Sequence, residues 1–165
     1  MHAASAIVFE PLFANVSAPV RATEGSAGHD VSAYVHGRRV RVWRDGSIEE
    51  RTAVDDTLIV HPGEIALVPL GFRARLPDGY EAQLRLRSSV AFTRGLIMPN
   101  APGTVDSDYP DEWLVMVKNI SHADAAIAHG ERIAQVVLAR YEVLGWALGE
   151  VRATTRAGGV GSTGS

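Results

Sequence analysis

Along most of the chain, hydrophobic and polar residues alternate with a period of two rather than 3.6, in short runs separated by turn residues. That rhythm predicts antiparallel strands and an all-β sandwich or barrel-like fold with little helix. In Glu81 to Ser88, Glu81, Gln83, Arg85 and Arg87 fall on one strand face and Ala82, Leu84, Leu86 and Ser88 on the other. The strand thereby delivers Arg87 to its own end. Glu64 to Leu70 and Trp113 to Asn119 are largely apolar on both faces. This is the pattern of strands lying between a core and a second apolar layer such as a subunit interface. Pro62-Gly63, Pro77-Asp78-Gly79, Pro110-Asp111 and His129-Gly130 mark the turns.

Three segments depart from this pattern. Val40 to Arg51 reads as a charged hairpin around Asp45-Gly46, with Val40, Val42 and Ile48 alternating with Arg41, Arg44, Glu49 and Glu50. So many charges predict a solvated surface hairpin. A short helical turn is expected at Val90-Ala91-Phe92, before Gly95. From Thr154 onward the chain is rich in Gly, Ser and Thr. The expected organisation is one β domain over residues 1–153, with the hairpin at about 37–56, followed by a mobile Gly-rich flap over 154–165.

A length of 165 residues fits one domain that buries enough apolar surface to fold without disulfides or a structural metal. The balance of 16 Lys+Arg against 19 Asp+Glu leaves a formal charge of -3. No basic field favours a nucleic-acid polymer or an anionic membrane, so a small ligand is the expected partner. Cys is absent, which excludes disulfides, a thiolate nucleophile and Cys-ligated zinc or iron–sulfur clusters. Met1 to Phe9 lacks the basic start of a signal peptide, and the apolar runs are too short for a membrane span. A cytoplasmic location is therefore expected.

Candidate chemistry gathers in five places. Pro99-Asn100-Ala101-Pro102-Gly103-Thr104-Val105-Asp106-Ser107-Asp108-Tyr109 sets a carboxylate and an aromatic ring three residues apart at a Gly/Pro-rich bend. Such a hairpin can offer backbone donors and acceptors to a flat base and hold Asp106 beside it as a general base. Arg87-Ser88-Ser89 sits at a strand-to-helix junction able to aim a guanidinium, a hydroxyl and free amides at phosphate oxygens. Gly130-Glu131-Arg132-Ile133-Ala134-Gln135 opens another strand, from which Gln135 can donate an amide. In Arg156-Ala157-Gly158-Gly159-Val160-Gly161-Ser162-Thr163-Gly164, successive Gly-rich amides can form an anion nest beside an Arg, without the Lys-Ser/Thr ending of a P-loop. Finally, Ala27-Gly28-His29-Asp30 offers Asp30 to the hydration shell of a magnesium ion. Each segment alone also reads blandly, as a turn, a cap or a disordered end. No zinc spacing and no G-x-S-x-G elbow is present.

In order and spacing these segments resemble the five motifs of the trimeric all-β dUTPase family, from about Ala22 to the end of the chain. The resemblance implies a jelly-roll-like β fold assembled as a homotrimer that splits dUTP into dUMP and pyrophosphate with Mg2+, keeping uracil out of DNA and supplying dUMP for dTMP synthesis. It also implies sites shared among subunits: the third motif from one, the first, second and fourth from another, the tail from a third. Asp106 would then activate the attacking water. Arg87, Ser88, Ser89, Gln135 and Arg156 would hold the phosphates, and Asp30 would meet the metal through water. Asn100, Gly103 and Val105 would frame the uracil, Tyr109 would pack under the sugar, and Val160, Gly161 and Ser162 would close over the ligand.

The chain departs from the family pattern in four places. Val160 stands where the family tail usually has an aromatic ring, and the tail Arg lies one residue nearer the Gly-Gly pair than usual, which leaves Arg152 as the alternative to Arg156. Pro110-Asp111 replaces the common Arg-Gly, and the charged hairpin is an insertion relative to the shortest members. Two other functions fit parts of the same pattern: a dCTP deaminase of this fold, and a non-catalytic, nucleotide-gated binding module. The deaminase expectation lacks its Glu base, whose stretch here carries Asp106 and Tyr109.

Overall fold

The strands announced by the alternation are present in the computed structural model, which describes residues 6–152 and 155. In chain order they are β1 (Val8–Pro11), β2 (Val20–Arg21), β3 (His29–Ser32), β4 (Arg39–Arg44), β5 (Ser47–Thr52), β6 (Thr57–Val60), β7 (Ile65–Pro69), β8 (Phe72–Arg75) and β9 (Tyr80–Leu86). A short helix α1 (Ser88–Arg94) follows, then β10 (Leu96–Ile97), β11 (Gly103–Val105), β12 (Leu114–Asn119), β13 (Ala125–Ala128) and β14 (Arg132–Arg140). They form two five-stranded sheets, β10-β12-β7-β4-β5 and β11-β9-β14-β3-β2, with β1-β8 and β13-β6 as two-stranded ribbons. Neighbours in the sheets are mostly distant in sequence, as in jelly-roll folds.

Alternation explains the core. Val31, Ala82, Leu84 and Val136 point inward from one sheet, Val42, Ala66, Val68, Val115 and Val117 from the other, and all are buried in one cluster. Each fully buried Val or Leu side chain among them contributes roughly 1.5–3 kcal/mol. Val115 pairs with Val68 on the inner face, whereas Met116 opposite Leu67 and Lys118 opposite Ile65 point outward. Those outer residues, with Leu114, are only half-buried, so the described residues of a single chain do not supply the second apolar layer implied by their composition.

The charged hairpin differs from expectation. Its turn is as read, with Asp45 and Gly46 both at positive φ (48° and 86°), the conformation that a two-residue hairpin turn requires. Its first strand, however, is not a solvated one: β4 pairs with β7 through Val42 and Ala66, and Val40 and Val42 are buried. β5, the tip and the outer face of β4 with Arg39, Arg41 and Trp43 remain exposed to water. The hairpin is anchored by Arg51, whose Nη1 and Nη2 donate to the fully buried Glu64 carboxylate at 2.6 and 2.9 Å, while the His61 amide donates to the same group at 2.8 Å. Among the described residues, no helix is long and apolar enough to cross a membrane.

Candidate active site

The site is built around β14, which lies between β3 and β9. Gln135 stands opposite Asp30 on one side and Arg85 on the other. Arg132 and Gln135 are an odd number of residues apart and would face opposite ways in a regular strand. The β14–β3 register shifts by one residue between Arg132 and Ala134, and this bulge brings both side chains to Asp30. The largely buried Asp30 carboxylate accepts from Arg132 Nη1 at 3.0 Å and from Gln135 Nε2 at 3.1 Å, with Arg87 Nε 3.8 Å away. Gly28 leaves room for this arrangement: a Cβ at that position would lie 2.9 Å from both Cβ and Oε1 of Gln135.

Arg87 ends β9 and enters α1 in an extended conformation (φ −68°, ψ 138°). Its backbone N–H donates to the Ile133 carbonyl at 3.0 Å, and its Nη1 donates to the Arg132 carbonyl at 3.2 Å. Ser88 and Ser89 follow, both exposed. The helix start has no side-chain cap and no acidic residue in its first turn, so its first amides and the positive end of its dipole remain available. Beside them lies an open pocket of about 390 Å³ whose lining includes the guanidiniums of Arg87, Arg94 and Arg132 together with Ser89 and Glu131. Arrangements of this kind bind phosphate oxygens.

The carboxylate–tyrosine turn lies elsewhere. β11 pairs with the opposite edge of β9, Gly103 facing Leu84 and Val105 facing Ala82. Asn100 Nδ2 lies 3.3 Å from where a Cβ on Gly103 would stand, so the amide lies close over the glycine backbone. Asp106 follows β11 and is exposed; among the described residues its carboxylate has no hydrogen bond or ion pair. The Tyr109 N–H closes the turn on the Asp106 carbonyl at 3.2 Å, and the Tyr109 ring is partly exposed. Val105 is level with Ala82, five positions before Arg87 on the strand. At about 3.3 Å per residue, Asp106 therefore lies on the order of 16 Å or more from the cradle. Asp30, Arg87, Ser88, Ser89 and Gln135 are thus brought together, and Asn100, Gly103, Val105, Asp106 and Tyr109 form a second group apart from them.

Arg156, Val160, Gly161 and Ser162, and the expected flap with them, lie outside the described residues; Arg152 is exposed. Arg132, which the sequence reading places in the Gly130 to Gln135 segment without a role of its own, belongs to the cradle. Among the described residues, no cluster of three or more His, Cys, Asp or Glu could cage a metal. One carboxylate, Asp30, with lone pairs to spare beyond its two hydrogen bonds, fits magnesium, which keeps most of its waters and takes phosphate oxygens in preference to an all-protein cage.

Fold and site together define an antiparallel β-sandwich protein with a cationic cradle beside α1 and a separate carboxylate–tyrosine hairpin. The dUTPase family model matches residues 53–164. The chain belongs to the dUTPase family. It is 44% identical over 124 residues to the deoxyuridine 5'-triphosphate nucleotidohydrolase of Anaplasma marginale, covering 74% of this chain and 84% of that one. To the enzyme of the same name from Caulobacter vibrioides it is 40% identical over 155 residues, covering 92% and 88%. In fold it resembles the dUTPase of Staphylococcus bacteriophage 80alpha, with a TM-score of 0.71 at 19% identity over 90% of this chain and 99% of the other.

Proposed function

We propose that this chain hydrolyses dUTP to dUMP and pyrophosphate in a homotrimer whose sites are completed between subunits. The observation that carries the reading is the separation of two complementary half-sites, a phosphate cradle and an unengaged carboxylate, in a chain of the dUTPase family. Distance within one chain keeps Asp106 away from anything held by Arg87, so a second copy must bring its own Asp106 to the cradle. The half-buried outer face of Ile65, Leu67, Leu114 and Met116 supports such an assembly, since it is apolar and lacks a covering layer.

In this reading Asp106 accepts a proton from a water that attacks the α-phosphorus in line; the bond from that phosphorus to the bridging oxygen breaks and pyrophosphate leaves. Arg87, the Ser88 and Ser89 hydroxyls and amides, Gln135 and the tail residue Arg156 hold the phosphates. Asp30 fixes Gln135 and Arg132 in place and is the residue that would hold magnesium. When bound, that ion neutralises charge on the phosphates. The backbone from Asn100 to Val105 reads the uracil edge, where cytosine would leave buried donors and acceptors unpaired and thymine's methyl would crowd the hairpin. Tyr109 packs under the sugar and leaves no space for a 2′-hydroxyl. Val160, Gly161 and Ser162 belong to the closing flap.

Pyrophosphate release measured with dUTP, dCTP, dTTP and UTP, with and without EDTA, tests the proposal. Release from dUTP alone, abolished by EDTA, is expected. Ammonia from dCTP would instead identify a deaminase, and nucleotide binding without turnover a binding module.

A further inference from the structure

Glu131 has no place in the reaction above, yet it lines the cradle beside Arg87, Ser89 and Arg132. A carboxylate there opposes the binding of phosphates. It is held by Arg94, in the last turn of α1, whose Nη1 donates to Glu131 Oε2 at 3.0 Å while Nη2 pairs with Oε1. The same Nη1 also donates to the Ala126 carbonyl at 2.7 Å, which fixes the guanidinium on the β13 side of the pocket. The Ala128 amide donates to Glu131 Oε2 at 3.2 Å. Burial works to raise the Glu131 pKa, but the hydrogen bonds from Arg94 and Ala128 and the charges of Arg94 and Arg87 outweigh it and leave the group below its ordinary value. The carboxylate is thus ionised at neutral pH, and Arg94 is the cation directly paired with it.

We propose that Arg94 is a positioning residue that holds the Glu131 carboxylate away from Arg87 and Arg132, and so keeps the cradle positive for the phosphates of its ligand. With Arg94 gone, the ionised Glu131 is left in one pocket with Arg87 and Arg132, and pairing with them takes donors from the phosphates. A purely structural tie between α1 and the β13–β14 turn makes a different prediction: removing either partner would be equally harmful, and removing both no better.

The inference rests on the assignment of the cradle to phosphates, but it can be tested without turnover. The probe is inorganic tripolyphosphate, titrated calorimetrically into the full-length protein, so that failure to cleave dUTP would count against the proposed activity and not against this inference. Arg94→Ala is expected to weaken tripolyphosphate binding about tenfold, the order of one misplaced charge, and less at high salt. Arg94→Ala combined with Glu131→Gln is expected to recover to within about threefold of the parent protein. Should Arg94→Ala not fold, the pair Arg94→Gln and Arg94→Gln/Glu131→Gln carries the same comparison. Unaltered binding in the single variant, or a double variant as weak as the single, would overturn the proposal.

Discussion

The cradle and the Asp106 hairpin represent opposite ways of preparing a site. Around β14 the polar groups hold one another: Arg132 and Gln135 donate to Asp30, and Arg87 is fixed by two carbonyls of the same strand. At the hairpin the backbone is fixed by β9, but the Asp106 carboxylate has no partner among the described residues. A binding surface gains from groups already oriented for the ligand. A general base must keep its lone pairs free for a proton, and an ion pair to Arg would lower its basicity. The difference teaches that the groups suited to anions are oriented in advance by their neighbours, whereas the carboxylate suited to proton transfer is left free.

The contrast breaks most clearly at Asp106. In Asp106→Asn, pyrophosphate release from dUTP is expected to fall about 10²–10⁴-fold, the usual range for loss of a general base, while the Kd for a non-hydrolysable dUTP analogue changes little. Equal turnover in the two proteins would remove Asp106 from the mechanism. Deleting residues 156–165 is expected to reduce turnover by roughly 100-fold and leave the proposed trimer intact by sedimentation, as for a segment that closes over bound ligand. Full activity in the truncated protein would argue against closure. Gly28→Ala acts on the other half. A new methyl 2.9 Å from Gln135 must displace that side chain, which also releases its hydrogen bond to Asp30. A rise in KM for dUTP of about tenfold, with kcat nearly retained, is expected of a lesion in the cradle alone.

How much of this could be read from the chain depends on whether the period of two was unbroken. Glu81 to Ser88 keeps it, so Arg87 at a strand end and the helix after it were legible, and so was the identity of the core face. Arg132 was not, because the bulge in β14 shifts the phase by one residue at that point and nothing in Arg132-Ile133-Ala134 announces it. The hairpin misled for another reason. Counting its charges predicts solvation, whereas Val40 and Val42 already alternated in the pattern of a half-buried strand, and they fill the core. Asp106 and Arg87 were legible as residues but their separation was not, since strand register is set by pairing across the sheet and not by order along the chain.

The smallest effect on catalysis is expected at the Arg51–Glu64 pair, which joins the hairpin to the body and belongs to neither half-site. Arg51→Ala leaves a fully buried carboxylate without its main partner, and breaking a buried pair in this way costs about 3 kcal/mol. KM and kcat for dUTP are expected to stay within about twofold, because neither half-site includes these residues. The hydrogen bonds from Arg51 lower the Glu64 pKa more than burial raises it, and the His61 amide adds to the lowering. A carboxyl depressed on folding contributes its full stability above the unfolded value of about 4.3 and loses it as pH falls through the folded value. The stability gap between the parent protein and Arg51→Ala should therefore be widest near neutral pH and narrow below about pH 4, as Glu64 becomes protonated in both. Urea unfolding at pH 7 and pH 3.5 measures it. A gap that does not depend on pH would show that Arg51 acts through packing rather than through its charge, and a matching loss of turnover would show that the hairpin reaches the active site after all.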